Sequence, residues 1–380
     1  MLTKTKLLLH KKASLKKIIL TITNDITYDQ RMHKIATSLA NAGYDVLLLG
    51  RKRKHSLPLK PSIYKQYRLN CFFDKGKFFY IEFNIRLFFY LLFNAFDIVN
   101  AIDLDTILPC YLVSRIKHKA CVYDAHEYFT EVPEVINRPF TQKIWLAIEQ
   151  FIVPKLKHCY TVSDSIAQLF EAKYQTHFQT IRNVPYLLDQ HLPADLSINK
   201  ERYILYQGAL NKGRGLAQLI EAMQWVDCKL VLVGEGDLSE ALRLQVQTLQ
   251  LQEKIIFKGF ISPENLNVIT QAAYIGINVS ENLGLSYYYS LNNKCFDYIH
   301  AGLPSITNNF PEYLQINDKY EVAVMCDLTT QNLVQAINTL LNDEQLHVRL
   351  VANCKVAKLE YNWQIESQKL LAIYRSVAAI

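Results

Sequence analysis

Residues 203–215 read Tyr-Ile-Leu-Tyr-Gln-Gly-Ala-Leu-Asn-Lys-Gly-Arg-Gly, an apolar run that ends in a glycine-rich turn. The spacing of the apolar residues that follow predicts a helix over 216–223, and the run Lys-Leu-Val-Leu-Val at 229–233 predicts a second strand. Strand, helix and strand in this order form a right-handed βαβ unit, whose parallel strands are buried on both faces. The segment therefore predicts an α/β fold.

The same alternation extends through the rest of the chain. Strands are predicted at 17–23, 45–49, 97–102, 120–124, 159–162, 255–257, 275–279, 304–307 and 322–325. Between the two halves, residues 185–200 are polar and lack periodicity, which is typical of a linker. We therefore predict two domains, 1–190 and 200–360, each with a parallel sheet. Ligands of such sheets bind at the carboxyl ends of the strands.

Composition and charge limit the classes of protein to which this chain can belong. Half of the 380 residues are hydrophobic, which excludes a disordered chain. Residues 1–190 carry 27 basic and 16 acidic residues, whereas the remainder carries 15 and 19. A basic first half indicates an anionic partner, such as a membrane surface or a phosphorylated carrier, or serves solubility alone. Nucleic acid is not expected, because no recognition motif is present. The eight cysteines lack CxxC or zinc spacing, so we expect reduced thiols in a cytoplasmic protein.

The most apolar segment is 78–96. Glu82, Asn84 and Arg86 interrupt it, whereas a membrane-spanning helix needs about 20 apolar residues with few charges. We predict a helix buried in the protein, the alternative being a helix that lies against a membrane.

Two segments of the second half carry groups suited to a phosphate ligand. In the turn after the strand at 203–207, Gly208 and Gly215 allow close backbone approach, and Lys212 and Arg214 supply positive charge. An ordinary glycine turn with solvated cations is the alternative. The Gly-Glu-Gly sequence at Gly234 is a weaker signal of the same kind.

The other segment runs from Ser290 to Pro304. Asn292 and Asn293 are predicted to cap a helix whose first N–H groups face a ligand, and Lys294 adds positive charge. Asp297 follows one turn later, where a carboxylate can accept hydrogen bonds from a vicinal diol such as ribose. The alternative is a capped helix with a solvated Lys–Asp pair.

Polar residues also follow two strands of the first half. His126 and Glu127 end the strand at 120–124, where a histidine can donate to a sugar hydroxyl or move a proton. Asp29, Arg31 and His33 lie in the first strand–helix turn. Asp29 and His33 alone are poor evidence for a metal, so we expect Asp29 to cap a helix or the turn to contact an acceptor.

These motifs, taken in order, resemble those of bacterial glycosyltransferases of family 4, which have the GT-B fold of two Rossmann-like domains facing across a cleft. The resemblance runs from about residue 17 to 374. Its most specific part is Ser290–Pro304, which is similar to the family form S-L-P-N-K-x-F-E-Y-x-x-A-G-x-P. Residues 123–127, 182–185, 258–260 and 361–363 resemble further family segments.

The resemblance implies transfer of a sugar from a nucleoside diphosphate sugar, with retention at the anomeric carbon and without a metal or other cofactor. It implies an acceptor domain over 1–190, onto which a closing helix at 364–380 packs back, and a donor domain over 200–360. His126, Arg214 and Lys212 would be catalytic, and Asp29, Arg31 and Glu127 would face the acceptor. The donor-binding set would be Gly208, Gly215, Gly234, Phe260, Ser290, Leu291, Asn292, Asn293, Lys294 and Asp297.

The sequence departs from the family pattern at four positions, in the glycine turn and in the carboxylate pair. Ala209 stands where an arginine is common, Arg214 replaces a lysine, and Tyr289 and Asp297 align with two glutamates. The expected function is a glycosyltransferase that makes cell-surface glycans, acts on a glycan or lipid-linked acceptor and works in the cytoplasm, in peripheral contact with the inner face of an anionic membrane. The alternatives are a nucleotide-sugar 2-epimerase and a catalytically silent GT-B protein that binds a partner.

Overall fold

The first strands and helices alternate as the sequence predicts. In a computed structural model, which describes residues 15–188 and 202–379, β1 (Lys17–Thr21), α1 (Gln30–Asn41) and β2 (Asp45–Lys52) form the opening βαβ unit. Gly43, with φ of 91°, follows the end of α1, where a left-handed residue ordinarily stops a helix. The predicted linker lies mostly outside the described residues, since 189–201 are not among them.

The first sheet has seven strands in the order β3-β2-β1-β4-β5-β6-β7. The remaining strands are β3 (Lys65–Asn70), β4 (Ile98–Ile102), β5 (Ala120–Ala125), β6 (His158–Thr161) and β7 (Phe178–Thr180). The helices of this part are α2 (Gly76–Phe93), α3 (Leu104–Lys117), α4 (Pro133–Ile136), α5 (Pro139–Ile152) and α6 (Asp164–Tyr174). The central strands β1 and β4 are buried along almost their whole length.

The second sheet has six strands in the order β10-β9-β8-β11-β12-β13. Its strands are β8 (Tyr203–Gln207), β9 (Lys229–Val233), β10 (Ile255–Gly259), β11 (Ile275–Asn278), β12 (Ser305–Asn308) and β13 (Ala323–Cys326). The helices are α7 (Leu216–Ala222), α8 (Ser239–Thr248), α9 (Pro263–Ala272), α10 (Leu285–Tyr288), α11 (Asn293–Ala301), α12 (Pro311–Tyr320), α13 (Thr330–Asn342), α14 (Glu344–Ala357) and α15 (Trp363–Ala378). Two parallel sheets with covering helices confirm the predicted fold class.

The chain divides into two compact units. Of the described residues, 15–124 and 371–379 form one unit, and 125–188 and 202–370 form the other. In the first unit, the Tyr374 hydroxyl of α15 accepts a hydrogen bond of 2.8 Å from the buried Asn100 amide of β4. No disulfide links the eight cysteines, all of which lie in the described residues.

The prediction that the apolar segment 78–96 is a buried helix is wrong for one of its faces. One side of α2 is buried, but Phe78, Ile81, Ile85 and Phe89 are each at least half exposed. Apart from Lys77, Glu82, Asn84 and Arg86 the helix is apolar, and a helix with so few polar residues is ordinarily buried. Among the described residues, no helix combines the length and apolarity needed to cross a bilayer.

Candidate functional site

The turn after β8 is shaped by glycines and carries an arginine. Gly213 has φ of 85°, and a Cβ atom there would lie 2.7 Å from Cε2 of Tyr287 and 2.8 Å from Cδ1 of Leu283. Only glycine fits such a position without displacing its neighbours. The turn thereby brings Arg214 beside Tyr287, with 5.2 Å between the guanidinium carbon and the ring centre.

Arg214 also reaches the start of α11. Its Nη1 donates to Oδ1 of Asn292, at 3.3 Å. The predicted cap is confirmed for Asn292, which is the N-cap residue of α11, although no side chain accepts a capping hydrogen bond. Asn293 is the first residue of the helix, and its Oδ1 accepts from Asn183 at 2.9 Å. Asn292 occupies the N-cap position through its backbone alone, and its side chain joins α11 to Arg214.

Lys294, in the first turn of α11, is a buried cation. It is 8% exposed, and its Nζ lies 4.1 Å from the centre of the Tyr206 ring. Burial, reinforced by the positive charge of Arg214, holds the pKa of Lys294 well below the usual value for lysine. Neither Lys294 nor Arg214 forms an ion pair within the part of the chain that the structure describes. Two neighbouring cations without a paired carboxylate are suited to bind an anion.

Asp297 is held by Gln207, which is held in turn by Thr270, and neither of these two residues was predicted to be part of the site. Oδ2 of Asp297 accepts a hydrogen bond of 3.0 Å from Nε2 of Gln207, and Oε1 of Gln207 accepts one of 2.7 Å from the Thr270 hydroxyl. Gln207 is the last residue of β8 and Thr270 lies on α9. The network fixes the orientation of the carboxylate. The only sequence signal for Gln207 is its position directly before Gly208.

The carboxyl ends of β8, β9 and β10 lie side by side. The Gly208 N–H donates to the carbonyl of Val233 at 2.9 Å, and the Gly234 N–H donates to the carbonyl of Gly259 at 2.8 Å. A Cβ atom on Gly234, where φ is 134°, would lie 2.0 Å from the Gly208 carbonyl oxygen. Close approach of these backbones therefore requires glycine. Phe260, next along the chain after β10, is 73% exposed.

His126 and Glu127 follow β5 and lie in the same compact unit as Arg214. The side chain of Glu127 is exposed to solvent. Desolvation by the surrounding protein nevertheless raises the pKa of its carboxyl group. Glu134 raises this pKa further, whereas the charges of His126 and Arg214 lower it. Glu127, His126 and Arg214 therefore lie within electrostatic reach of one another.

The remaining predicted site residues of this unit differ in how far they are buried and in their hydrogen bonds. Lys212 is exposed, whereas Gly215 and Leu291 are buried. The Ser290 hydroxyl donates to the Tyr287 carbonyl at 2.8 Å. Position 289 carries a tyrosine rather than a carboxylate, and the N–H of Glu281 donates to the Gly213 carbonyl at 2.9 Å. Glu281 is thus the acidic residue attached directly to the glycine turn.

The other predicted residues belong to the first unit. Oδ1 of Asp29 accepts from the Met32 N–H at 3.0 Å, which confirms the prediction that Asp29 caps α1. Arg31 is 5% exposed and pairs with the fully buried Asp124, with 3.1 Å between Nη2 and Oδ1. This buried ion pair contributes to the structure of the first unit.

Family models match nearly the whole chain. The model described as glycosyltransferase family 4 matches residues 30–189, and the model described as glycosyl transferases group 1 matches residues 190–356.

Two curated relatives match shorter regions. Poly(glycerol-phosphate) alpha-glucosyltransferase of Bacillus subtilis is 26% identical over 193 residues, which are 47% of this chain and 26% of that protein. Alpha-monoglucosyldiacylglycerol synthase of Streptococcus pneumoniae is 36% identical over 95 residues, which are 24% of this chain and 20% of that protein. The matched regions thus span about a quarter or less of these two relatives.

Solved structures share the fold over almost the full chain. Sucrose-phosphate synthase from Thermosynechococcus elongatus has a TM-score of 0.80 at 17% identity and covers 96% of this chain and 99% of its own. Anabaena HepE in complex with UDP-glucose has a TM-score of 0.74 at 14% identity, covering 96% and 100%. WaaG, a glycosyltransferase involved in lipopolysaccharide biosynthesis, has a TM-score of 0.65 at 14% identity, covering 93% and 98%.

Proposed function

This chain belongs to the glycosyltransferases of group 1 and family 4, and we propose that it transfers a sugar from a nucleoside diphosphate sugar to a glycan or lipid-linked acceptor, with retention at the anomeric carbon. The proposal rests on one observation above all. Lys294 is buried close to Arg214, and neither cation forms an ion pair within the described residues. In the free protein this arrangement is costly, and a diphosphate would relieve it.

We propose that Arg214 and Lys294 bind the diphosphate, assisted by the free N–H groups in the first turn of α11. Lys212 is exposed, so we assign it an electrostatic contribution at longer range. When the bond between the anomeric carbon and the diphosphate breaks, negative charge develops on the leaving oxygen. Cations already held beside that oxygen stabilise the transition state more than the ground state. These cations would do the work of a divalent metal, so we propose that no metal or other cofactor is required.

Asp297 is proposed to accept hydrogen bonds from the ribose hydroxyls. Its hydrogen bond from Gln207 supports this role, because it fixes one carboxylate oxygen and limits the rotation of the side chain. The base is proposed to lie near the exposed ring of Phe260, at the carboxyl end of β10. UDP-glucose is the first donor to test, since HepE was solved in complex with it.

His126 and Glu127 are proposed to contact the transferred sugar and the acceptor. The raised pKa of Glu127 supports a role in accepting a proton or hydrogen bond from the acceptor hydroxyl. Poly(glycerol-phosphate) and glucosyldiacylglycerol appear in the names of the two relatives, so acceptors of cell-surface polysaccharide or glycolipid type are the first to assay. We propose that the protein acts in the cytoplasm, at the inner face of the membrane.

The experiment that tests the proposed function is a screen of nucleoside diphosphate sugars by thermal shift, followed by transfer assays with glycolipid and polysaccharide acceptors. A donor that raises the melting temperature and is consumed only when an acceptor is present supports the proposal. Tyr289, in place of the first family carboxylate, favours a second candidate, a silent GT-B protein that binds a partner. Lack of binding to every donor would support that candidate.

A further inference from the structure

The helix α2 has two apolar faces, of which only one contacts the protein. Its inner row packs toward α3 and consists of Phe79, Phe83, Leu87 and Leu91, all at most 4% exposed. Its outer row consists of Phe78, Ile81, Ile85, Phe89 and Phe93, which are 50–78% exposed. A surface helix ordinarily carries polar residues on its outer face. The outer row of α2 therefore needs a separate explanation.

Further exposed apolar residues lie in the loops before α2 and before β3. In the loop before α2, Phe72 is 90% exposed, and the ring of Phe73 lies 5.4 Å from that of Phe78 in the outer row. The loop before β3 adds Leu57 and Ile63, which are 51% and 64% exposed. Of the 28 large hydrophobic residues that are exposed in the described chain, 11 fall within residues 57–93. We call these 11 residues the α2 patch: Leu57, Leu59, Ile63, Tyr67, Phe72, Phe73, Phe78, Ile81, Ile85, Phe89 and Phe93.

Contacts inside the first unit connect the loop, the edge strand β3 and α2. Nη1 of Arg68 in β3 donates to the Leu57 carbonyl at 2.7 Å, which ties the loop to the strand. The rings of Tyr67 in β3 and Tyr90 in α2 stack at 5.2 Å. The loop, strand and helix that carry the exposed apolar residues are thus joined to one another within a single folded unit. Apolar patches of more than about a few hundred Å² on a protein surface mark interaction sites.

The surroundings of the α2 patch are strongly basic. Residues 46–73 contain seven lysines and arginines and no acidic residue. Lys52, Arg53, Lys54 and Lys60 are exposed, and within residues 15–188 and 202–379 none of them forms an ion pair. Lys75 and Lys77 add two exposed charges at the start of α2.

The two nearby carboxylates already have partners. Asp74 lies 3.9 Å from Arg51. Glu82 accepts from the Phe72 and Phe73 N–H groups and pairs with Arg86 at 2.8 Å. The exposed cations around the patch are thus left to attract an anion from outside the protein.

We propose that the α2 patch docks onto an anionic lipid bilayer, with its aromatic and aliphatic side chains in the headgroup region and the surrounding lysines and arginines on lipid phosphates. Apolar residues flanked by lysine and arginine are the pattern of proteins that lie on a membrane. A second copy of the chain is disfavoured as the occupant, because a symmetric contact would bring two basic surfaces together. A bilayer of anionic lipids has the complementary charge.

This inference rests on the proposed placement of the enzyme at the membrane and names the surface responsible. It is tested with the full chain and with vesicles of phosphatidylcholine alone or mixed with phosphatidylglycerol, without donor or acceptor. Binding that appears only with phosphatidylglycerol and weakens with salt is expected. Equal binding to both vesicle types, or none, would overturn the proposal.

Matched variants separate the apolar and ionic contributions. The triple change Phe72→Ser, Ile81→Ser and Ile85→Ser should weaken vesicle binding at least tenfold, whereas Leu244→Ser with Val348→Ser, at equally exposed positions of the other unit, should not. Replacing Lys52, Arg53 and Lys54 with glutamate should weaken vesicle binding at least a hundredfold, since each cation near an anionic membrane strengthens binding about fivefold. The control is Lys355→Glu in the other unit.

Two further readouts identify the occupant. Analytical ultracentrifugation should show the same molecular mass for the wild type and the triple serine variant. Self-association of the wild type that the variant abolishes, without vesicle binding, would overturn the proposal in favour of a second copy. Thermal shift with the donor should be unchanged in these variants, so that loss of vesicle binding is distinguished from failure of the proposed transferase function.

Discussion

The ammonium group of Lys294 lies 4.1 Å from the centre of the Tyr206 ring, at the start of α11. The pKa of the Tyr206 hydroxyl is raised to about 12 by burial, so the phenol is neutral and cannot compensate the lysine. The ring provides a cation–π contact, which contributes about 0.5–2 kcal/mol. That is less than the cost of burying an unpaired charge, which is several kcal/mol. We therefore infer that Lys294 serves to bind an anionic ligand.

Replacing Lys294 with methionine should make the free protein more stable and the ligand complex weaker. Methionine has a similar length and carries no charge, so Lys294→Met should raise the free energy of unfolding by about 1–3 kcal/mol. Donor affinity should fall by about tenfold or more, because a charge-assisted hydrogen bond is lost. Denaturant unfolding and calorimetry measure the two effects. Lys212→Met, at an exposed position, serves as the control and should change stability little.

Stability should depend on pH through the same lysine. Its pKa in the folded protein lies well below the unfolded value of about 10.4, so the folded state binds fewer protons than the unfolded state between these two values. The destabilising effect of Lys294 is therefore fully present below the folded pKa and is lost as the pH rises toward the unfolded pKa. The difference in melting temperature between Lys294→Met and the wild type should shrink over that range. A constant difference would contradict the assignment.

Donor affinity should fall as the pH rises. An anion beside Lys294 favours its charged form, so in the range above the pKa of the free protein, binding takes up a proton. The affinity should decrease by up to about tenfold per pH unit in that range. Titrations at several pH values, in buffers of different ionisation enthalpy, measure the proton uptake directly. The uptake should disappear in Lys294→Met.

Arg214 should matter more for turnover than for stability. It is half-buried, and within residues 15–188 and 202–379 its side chain forms a single hydrogen bond, the 3.3 Å contact with Asn292. Arg214→Ala should lower kcat/KM by about 100-fold to 1,000-fold, because positive charge beside the leaving diphosphate is lost. The melting temperature of the free protein should change little. Arg214→Lys is the matched variant, and it should recover part of the activity, since a lysine keeps the charge but lacks the planar donor pair.

Asp297 should act on the nucleoside part of the donor. Asp297→Ala should weaken binding of both nucleoside monophosphates and diphosphates by about tenfold, because the ribose contact is common to both. The matched control is Thr270→Val, which removes only the hydroxyl that donates to Gln207. This variant should weaken nucleotide binding less than Asp297→Ala, because the carboxylate remains. Calorimetric affinities for the two ligand types decide the outcome. Normal binding by Asp297→Ala would refute this site assignment.

The sequence predicts the central strands of both sheets but misses β3 and β7, the two edge strands of the first sheet. β1, β8 and β9 are runs of buried aliphatic residues, which the pattern identifies directly. β3 reads Lys-Gln-Tyr-Arg-Leu-Asn and lies at the edge of its sheet, where one face contacts solvent, so its pattern is polar and it was not predicted. β7 has only three residues, too few for a periodic pattern.

The sequence predicts individual residues of the candidate site but not which of them contact one another. Glycine turns and helix starts mark Arg214 and Lys294 individually, but 80 positions separate them along the chain. Burial of the lysine under Tyr206, and the Gln207–Asp297 hydrogen bond, depend on how α11 packs against β8. The outer face of α2 misled the prediction, because an apolar sequence does not indicate whether its partner is the protein or another surface.

The central claim is that Arg214 and Lys294 form a diphosphate site, and the most direct test compares nucleoside diphosphate and monophosphate binding by calorimetry, in the wild type, Lys294→Met and Lys212→Met. The account predicts that one nucleoside diphosphate binds the wild type at least about tenfold more tightly than its monophosphate. This advantage should disappear in Lys294→Met and persist in Lys212→Met. An unchanged advantage in Lys294→Met, or no binding of any nucleoside diphosphate to the wild type, would contradict the account.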